Sequence, residues 1–377
     1  MSSFFTMRLG TLLRRPPAWL AEPGEAEDTV VATGVEYKRN LADHSFSGWA
    51  TGEERSAVLR EISQAAETVS ALKGGFLAEM KDCPLDARRI LVERQLLSRT
   101  LAPRQEGCGF ALSRKQDISL QINDEEHLTL RVWKHGLSVG EAHSKASGLL
   151  AELEASLRFA HNERLGYLMS NPNAVGAGLC VSVILHLPAL TMAGMMPQVY
   201  AAAEKLNLSV RGIYGDGGEG VGHFYEICNV SPFDEKEDTI LDRMKYAART
   251  LSERERGVRY KYATTRFLEF IDPIQRAVGV LNYAMRLGFR ETMDNLSYLR
   301  MGSIFGLINW SERDREEAAA ALPELSQTVS SAYIRVHTVA SDLPEGNDVE
   351  AMRSFHVRQM LYPALPFGVT LDEEDNS

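Results

Sequence analysis

Gly166-Tyr-Leu-Met-Ser-Asn-Pro-Asn-Ala-Val-Gly-Ala-Gly-Leu-Cys180, running on into Val181-Ser-Val-Ile-Leu-His-Leu-Pro-Ala-Leu190, is the segment on which the fold of this chain turns. Its first half is a glycine-rich turn, and Asn171-Pro172 is a turn-forming pair. Its second half is apolar but interrupted by His186 and Pro188. It falls short of the roughly 18–20 apolar residues that span a bilayer and reads as core. Cys180, at the exit of the turn, reads either as a small buried hydrophobe or as a reactive thiol.

Upstream of this segment, residues 1–29 read as an extended, Pro- and Glu-rich lead-in anchored by Trp19. Val30 to Asn40 reads as a strand. The apolar spacing from Glu53 to Met80 (Val58, Ile62, Ala65, Val69, Leu72) predicts a helix, and Ala87 to Leu97 a second. Ile118–Asn123 and His127–Trp133 alternate as strands around the acidic turn Asp124-Glu-Glu126, and Ser138 to Leu157 returns to helix. Downstream, a helix is predicted over Met192–Leu206. A strand pair, Leu208–Arg211 and His223–Asn229, brackets the glycine-rich Gly212–Gly222. From Glu235 onward the pattern is helical, with windows at Thr239–Ser252, Phe267–Leu287, Glu291–Arg300, Asp314–Ala332 and Asp348–Leu361 before an acidic tail that reads as disordered.

Composition narrows the function classes. At 377 residues, 44% hydrophobic and 24% charged, the chain has the make-up of a globular protein with a sizeable core. A formal net charge of −10 argues against generic nucleic-acid or anionic-membrane binding, which relies on clustered Lys and Arg. The four cysteines (Cys83, Cys108, Cys180, Cys228) are widely spaced, with no metal-ligand pattern, and read as ordinary buried thiols of a reducing cytoplasm. No secretory signal is seen at the N-terminus, and the expected location is cytoplasmic. Gly212–Gly222 lacks the spacing of a P-loop or a dinucleotide fingerprint.

The 166–190 segment resembles the signature of the phosphagen (guanidino) kinases, and in particular of the bacterial protein-arginine kinases. The likeness runs in order along the chain through Trp19-Leu20, Val30–Leu41, Leu91-Val-Glu93, Asn123–Leu128, Val210–Asn229, Ile274–Ala284 and Leu296–Gly302. It implies an α+β fold: a glutamine-synthetase-like catalytic domain with a mainly antiparallel sheet flanked by helices, over residues 30–235. A helical C-terminal domain over 236–362 and a tail over 363–377 follow. The implied activity is ATP:guanidino phosphotransfer, with Mg-ATP as cofactor if the chain is active.

Such chemistry needs fixed cations around the polyphosphate and carboxylates that orient a guanidinium and take its proton. On the resemblance, the carboxylates fall at Asp124, Glu125 and Glu219, with Asp124 one methylene shorter than the family glutamate. The cations are depleted. Family arginines are replaced by Gly34, Glu36, Thr129 and Cys180, a nucleotide-site histidine by Gln95, and the family cysteine by Asn171. Arg211 is retained, and Arg39 is retained in a structural role. Arg131, two residues past Thr129 and on the same strand face, and Lys38 are the compensating cations. A single cation on a transferring phosphoryl group is worth about 10³–10⁵ in rate, so four losses imply severe impairment. A phosphoarginine pocket near the C-terminus is reduced to Glu350 and Arg353.

The sequence therefore reads as a degenerate protein-arginine kinase homologue, a pseudokinase with a binding or regulatory role in protein quality control. The resemblance implies protein partners (an active kinase paralogue, an adaptor or a protease–chaperone complex) and a homo- or hetero-dimer. No nucleic acid, membrane or metal is expected. Two alternatives stand beside it: an active transferase with a rearranged nucleotide site, and an arginine- or guanidinium-binding module.

Overall fold

Strand β1 (Val30–Arg39) lies between two others in an eight-stranded sheet, and its placement governs everything at the site. The computed structural model describes residues 4–20, 28–214, 220–230, 235–310, 322, 325–337, 348–361 and 364–365. Further strands are β2 (Phe76–Glu79), β3 (Gly109–Leu112), β4 (Ile118–Ile122) and β5 (Leu128–His135). A small hairpin of β6 (His161–Asn162) and β7 (Gly166–Tyr167) opens the glycine-rich turn. Next come β8 (Leu179–His186), β9 (Leu208–Gly212) and β10 (Phe224–Asn229). The sheet order is β2-β3-β4-β5-β1-β8-β10-β9, and each pairing from β2 through to β8 is antiparallel. The α+β class with a mainly antiparallel sheet is what the structure shows.

The two faces of β1 have different fates because side chains alternate along a strand. One face is covered by the helix Val139–Glu154, which buries Val139, Ala142, Ala146, Leu149, Leu150 and Leu153. Each large apolar side chain removed from water there contributes about 1.5–3 kcal/mol. Thr33 on this face donates to the Gly136 carbonyl at 2.6 Å, and Tyr37 packs beside His143. Gly34, Glu36 and Lys38 point the other way.

The helix Gly52–Ala66 starts on a capping box: Thr51 Oγ1 accepts from Glu54 N and the Glu54 carboxylate accepts from Thr51 N. The sequence carried this helix on to Met80, but it stops at Ala66, and Phe76–Glu79 is an edge strand instead. Gly74-Gly75 then fixes the path of the chain into that strand. A Cβ at Gly75 would overlap the Leu112 carbonyl oxygen, so the chain passes flush against β3 where a helix has no room. The lead-in is also less extended than expected. Leu9–Leu13 is helical, Leu12 and Leu13 are buried, and Trp19 is the expected anchor, 2% exposed against Trp133.

The chain clusters into two compact units that do not follow one cut in the sequence. The first comprises Met1–Leu185, Gln198–Val210 and Glu226–Leu251; the second comprises His186–Pro197, Arg211–Tyr225 and Ser252–Ser377. The expected boundary near 235 thus gives way to an exchange of segments, with helix Glu237–Thr265 contributing to both. In the second unit, helices Phe267–Tyr283 and Phe289–Ile304 pack together and bury Phe270, Ile274, Val278, Met293, Leu296 and Leu299. Most of the helix predicted over Asp314–Ala332, and the acidic tail, lie outside the described residues. No helix among the described residues is long and apolar enough to cross a membrane.

Candidate active site

The face of β1 turned away from the helix Val139–Glu154 is the floor of the site. Register places Gly34 between Trp133 and Ser182, Glu36 between Arg131 and Cys180, and Lys38 opposite Thr129. The sheet thus assembles the substituted positions that the sequence scatters over nearly 150 residues. Gln95 is brought in as well: its carbonyl accepts from Arg131 Nη1 at 3.0 Å and from Trp133 Nε1 at 3.1 Å.

What the floor carries is a closed set of charges. Glu36, 7% exposed, takes a two-pronged contact from Arg131 through Nε (2.7 Å) and Nη2. Lys38 Nζ stands 3.7 Å from Glu36 Oε1 and 3.1 Å from Glu125 Oε2. Burial would lower the pKa of both cations, but Glu36 outweighs it for Arg131, and Glu36 with Glu125 outweighs it for Lys38. Both cations stay charged and both are engaged. The two groups expected to serve as compensating cations therefore neutralise Glu36, which stands where the resemblance implies an arginine.

Gly34 is closed sterically. A Cβ there would meet the Trp133 ring at 2.8 Å and Ser182 Oγ at 2.9 Å, and Trp133 is itself fully buried. No longer side chain fits without displacing the indole. Thr129 is buried, and Arg211 stands exposed on β9 in the other compact unit.

The acidic turn lines a cleft of about 330 Å³ with Ser47, Gly48, Arg104, Ser170 and Asn171. Its three carboxylates have different employments. Asp124 is buried and accepts from Ser98 Oγ (2.5 Å) and Thr100 Oγ1 (2.7 Å). Glu126 is buried and accepts from Asn40 Nδ2, from Ser170 N at 2.9–3.0 Å and from Ser170 Oγ at 2.8 Å. Only Glu125, with its side chain 56% exposed, faces the opening. Arg104 braces the turn from below through the Asn123 and Asp124 carbonyls. Of the expected catalytic carboxylates, Asp124 is thus committed to the fold, Glu125 is exposed but paired with Lys38, and Glu219 lies outside the described residues.

Sequence reading missed Glu126, Ser170, Arg104, Ser98 and Thr100. Their partners are distant in sequence, and no local pattern marks them. Arg39 has the structural role expected of it: 1% exposed, it bonds the Lys38 and Ala177 carbonyls and lies 3.4 Å over the Tyr167 ring, tying β1 to the glycine-rich turn.

Arg353 does not form the remnant anion pocket. It is buried and donates to the Val329 and Leu287 carbonyls at 2.6 Å and to Ser331 Oγ at 2.7 Å. Glu350 pairs instead with Arg286 at 3.3 Å. The cysteines also depart from the sequence reading. Cys83 and Cys108 are buried, whereas Cys180 and Cys228 are partly exposed and face each other.

The comparisons with known proteins fall in line with this architecture. Residues 57–258 match the family described as ATP:guanido phosphotransferase, C-terminal catalytic domain. The protein-arginine kinase of Bacillus pumilus is 32% identical over 292 residues, 77% of this chain and 80% of that protein. That of Bacillus subtilis is 31% identical over 347 residues, 92% and 93% of the two chains. Among solved structures, substrate-free duplicated taurocyamine kinase from Schistosoma mansoni aligns with a TM-score of 0.56 at 22% identity, over 76% of this chain and 42% of that one. Lombricine kinase aligns with a TM-score of 0.54 at 19% identity, over 68% and 72%. These structural likenesses speak to the fold alone. The chain belongs to the ATP:guanido phosphotransferase (phosphagen kinase) family, and its relatives include protein-arginine kinases.

Proposed function

We propose that this chain is a pseudokinase: a family member that keeps the kinase fold, has given up phosphoryl transfer and acts by binding, in a regulatory role within protein quality control. One observation carries this reading, the buried Glu36–Arg131 pair at the centre of the site floor. A polyphosphate needs cations without competing anions. Here each cation on the floor already has a carboxylate partner, and an incoming phosphate would meet Glu36 as well as Arg131. Partners of matching kind are an active kinase paralogue, an adaptor or a protease–chaperone complex.

The test is a thermal unfolding series with Mg-ATP alongside an assay for phosphoarginine on a protein substrate. A ligand that binds only the folded state raises Tm, so the reading expects no rise and no phosphoarginine. A clear shift together with product overturns it.

A second reading is favoured by the open cleft at Glu125. With Asp124 and Glu126 engaged internally, Glu125 is the exposed carboxylate of the turn, and a guanidinium beside Asn171 would take the place of Lys38 Nζ, now 3.1 Å away. Stabilisation by free arginine or an Arg-rich peptide that disappears in Glu125→Gln supports it; stabilisation unchanged in that variant removes it.

A further inference from the structure

We propose that Cys180 and Cys228 close a reversible intramolecular disulfide, making a peroxide-responsive site beside the Glu36–Arg131 pair. The two residues lie on β8 and β10, neighbours in the sheet, with Sγ atoms 2.7 Å apart. A disulfide bond is about 2.05 Å long, so closing it asks little of the backbone. The register is held by Asn229, whose side chain accepts from Val181 N at 2.6 Å and donates to the Leu179 carbonyl at 3.1 Å. Those bonds clasp the residues on either side of Cys180, and Asn229 is itself the neighbour of Cys228.

The surroundings divide the labour between the sulfurs. Cys180 lies opposite Glu36 on β1, next to that residue's partners Arg131 and Lys38, and is the attacking sulfur. The Cys228 thiol is pushed well up by its hydrogen bond to Cys180, by burial and by Glu226 and Glu36, and remains the proton carrier. Cys83, pushed up to about 11 by burial, and Cys108, raised for the same reason, are protected thiols.

The chemistry balances with a peroxide as oxidant. The Cys180 thiolate attacks a peroxide oxygen, the O–O bond breaks, and the departing hydroxide takes the Cys228 proton to form water. The Cys228 thiolate then attacks the sulfenic sulfur; the S–S bond forms, the S–O bond breaks and hydroxide leaves. Each sulfur loses one electron, and the peroxide is reduced to water and hydroxide. A dithiol reductant reverses the step. None of this depends on whether the chain transfers phosphate.

The test treats the full-length protein with hydrogen peroxide, unfolds it, blocks free thiols with a maleimide and maps the peptides by mass spectrometry. The expected result is a Cys180–Cys228 cross-linked peptide, maleimide on Cys83 and Cys108 only, and all four cysteines labelled after dithiothreitol. Cys180→Ser and Cys228→Ser, each checked for wild-type Tm, should each lose the cross-link. Labelling of all four thiols after peroxide, or a cross-link that forms only between molecules, overturns the proposal; because the wild-type mapping alone decides, a variant that fails to fold does not shield it.

Discussion

Glu36 is the residue on which the site depends. A buried carboxylate has to be neutralised, and Arg131 does so from the adjacent strand. Removing one member of a buried pair leaves the other charge uncompensated, at a cost of about 3–5 kcal/mol. Glu36→Arg, which introduces the arginine that the resemblance implies here, should therefore destabilise the protein by that order in urea denaturation and should not create Mg-ATP binding, because it sets two arginines side by side. Gain of nucleotide affinity in this single variant would show that the cage is one substitution from function. Gly34→Ala presses on a buried indole and should cost about 1–3 kcal/mol, read as a lower urea midpoint with unchanged slope. Gly34 and Glu36 were both legible in the sequence as positions where the resemblance implies a cation. That one position is filled by Trp133, and the other locked to Arg131, was not, since both partners come from β5.

The glycine-rich turn at 166–180 shows the same division at the scale of an element. Its sequence announces a turn leading into a core strand, and the structure has both. What holds the turn is Glu126, whose carboxylate takes the Ser170 amide and hydroxyl, together with Arg39 stacked on Tyr167. Glu126→Ala leaves the Ser170 amide without its acceptor and removes a set of charge-assisted bonds, each worth about 1.5–3 kcal/mol. Hydrogen exchange at Met169–Ser170 should accelerate at least tenfold relative to the core strands; an unchanged rate would mean that the turn is held elsewhere. Periodicity misleads where two structures share a spacing. Val69 and Leu72 continue the helical pattern of Val58 and Ile62, and both are buried, but they lie beyond the end of the helix and on a tight turn. The apolar positions were read correctly; the backbone that joins them is set by Gly74-Gly75 meeting β3.

Across the whole molecule, buried neutral imidazoles couple stability to pH. His127 accepts from Leu41 N through Nδ1 and lies 3.0 Å from the Ser45 carbonyl through Nε2, an arrangement that a proton on Nδ1 would break. His186 and His223 both lie 2.7 Å from the Ser297 hydroxyl. Burial lowers all three, and lowers His356 to about 4. Because the unfolded chain takes up protons near pH 6.5 and these folded sites do not, stability is present above that pH and is lost as pH falls. Each such site forfeits up to about 2 kcal/mol by pH 5, with Glu255, raised by burial, working in the opposite direction. The urea midpoint should fall between pH 7.5 and 5.5; a midpoint that holds or rises would show that these imidazoles become protonated in the folded state.

The sequence by itself determined the family, the order of the strands and helices around the 166–190 segment, and which uncharged or acidic residues stand at Gly34, Glu36, Thr129 and Cys180, where the resemblance implies cations. Those properties are local: they depend on residue type and spacing, which a chain carries whether or not it is folded. Tertiary structure alone decided that Arg131 and Lys38 are already engaged, that Asp124 and Arg353 serve the fold, and that Cys180 faces Cys228. Each of those facts is a pairing between strands or segments distant in sequence, and register and packing, rather than composition, set which side chains meet.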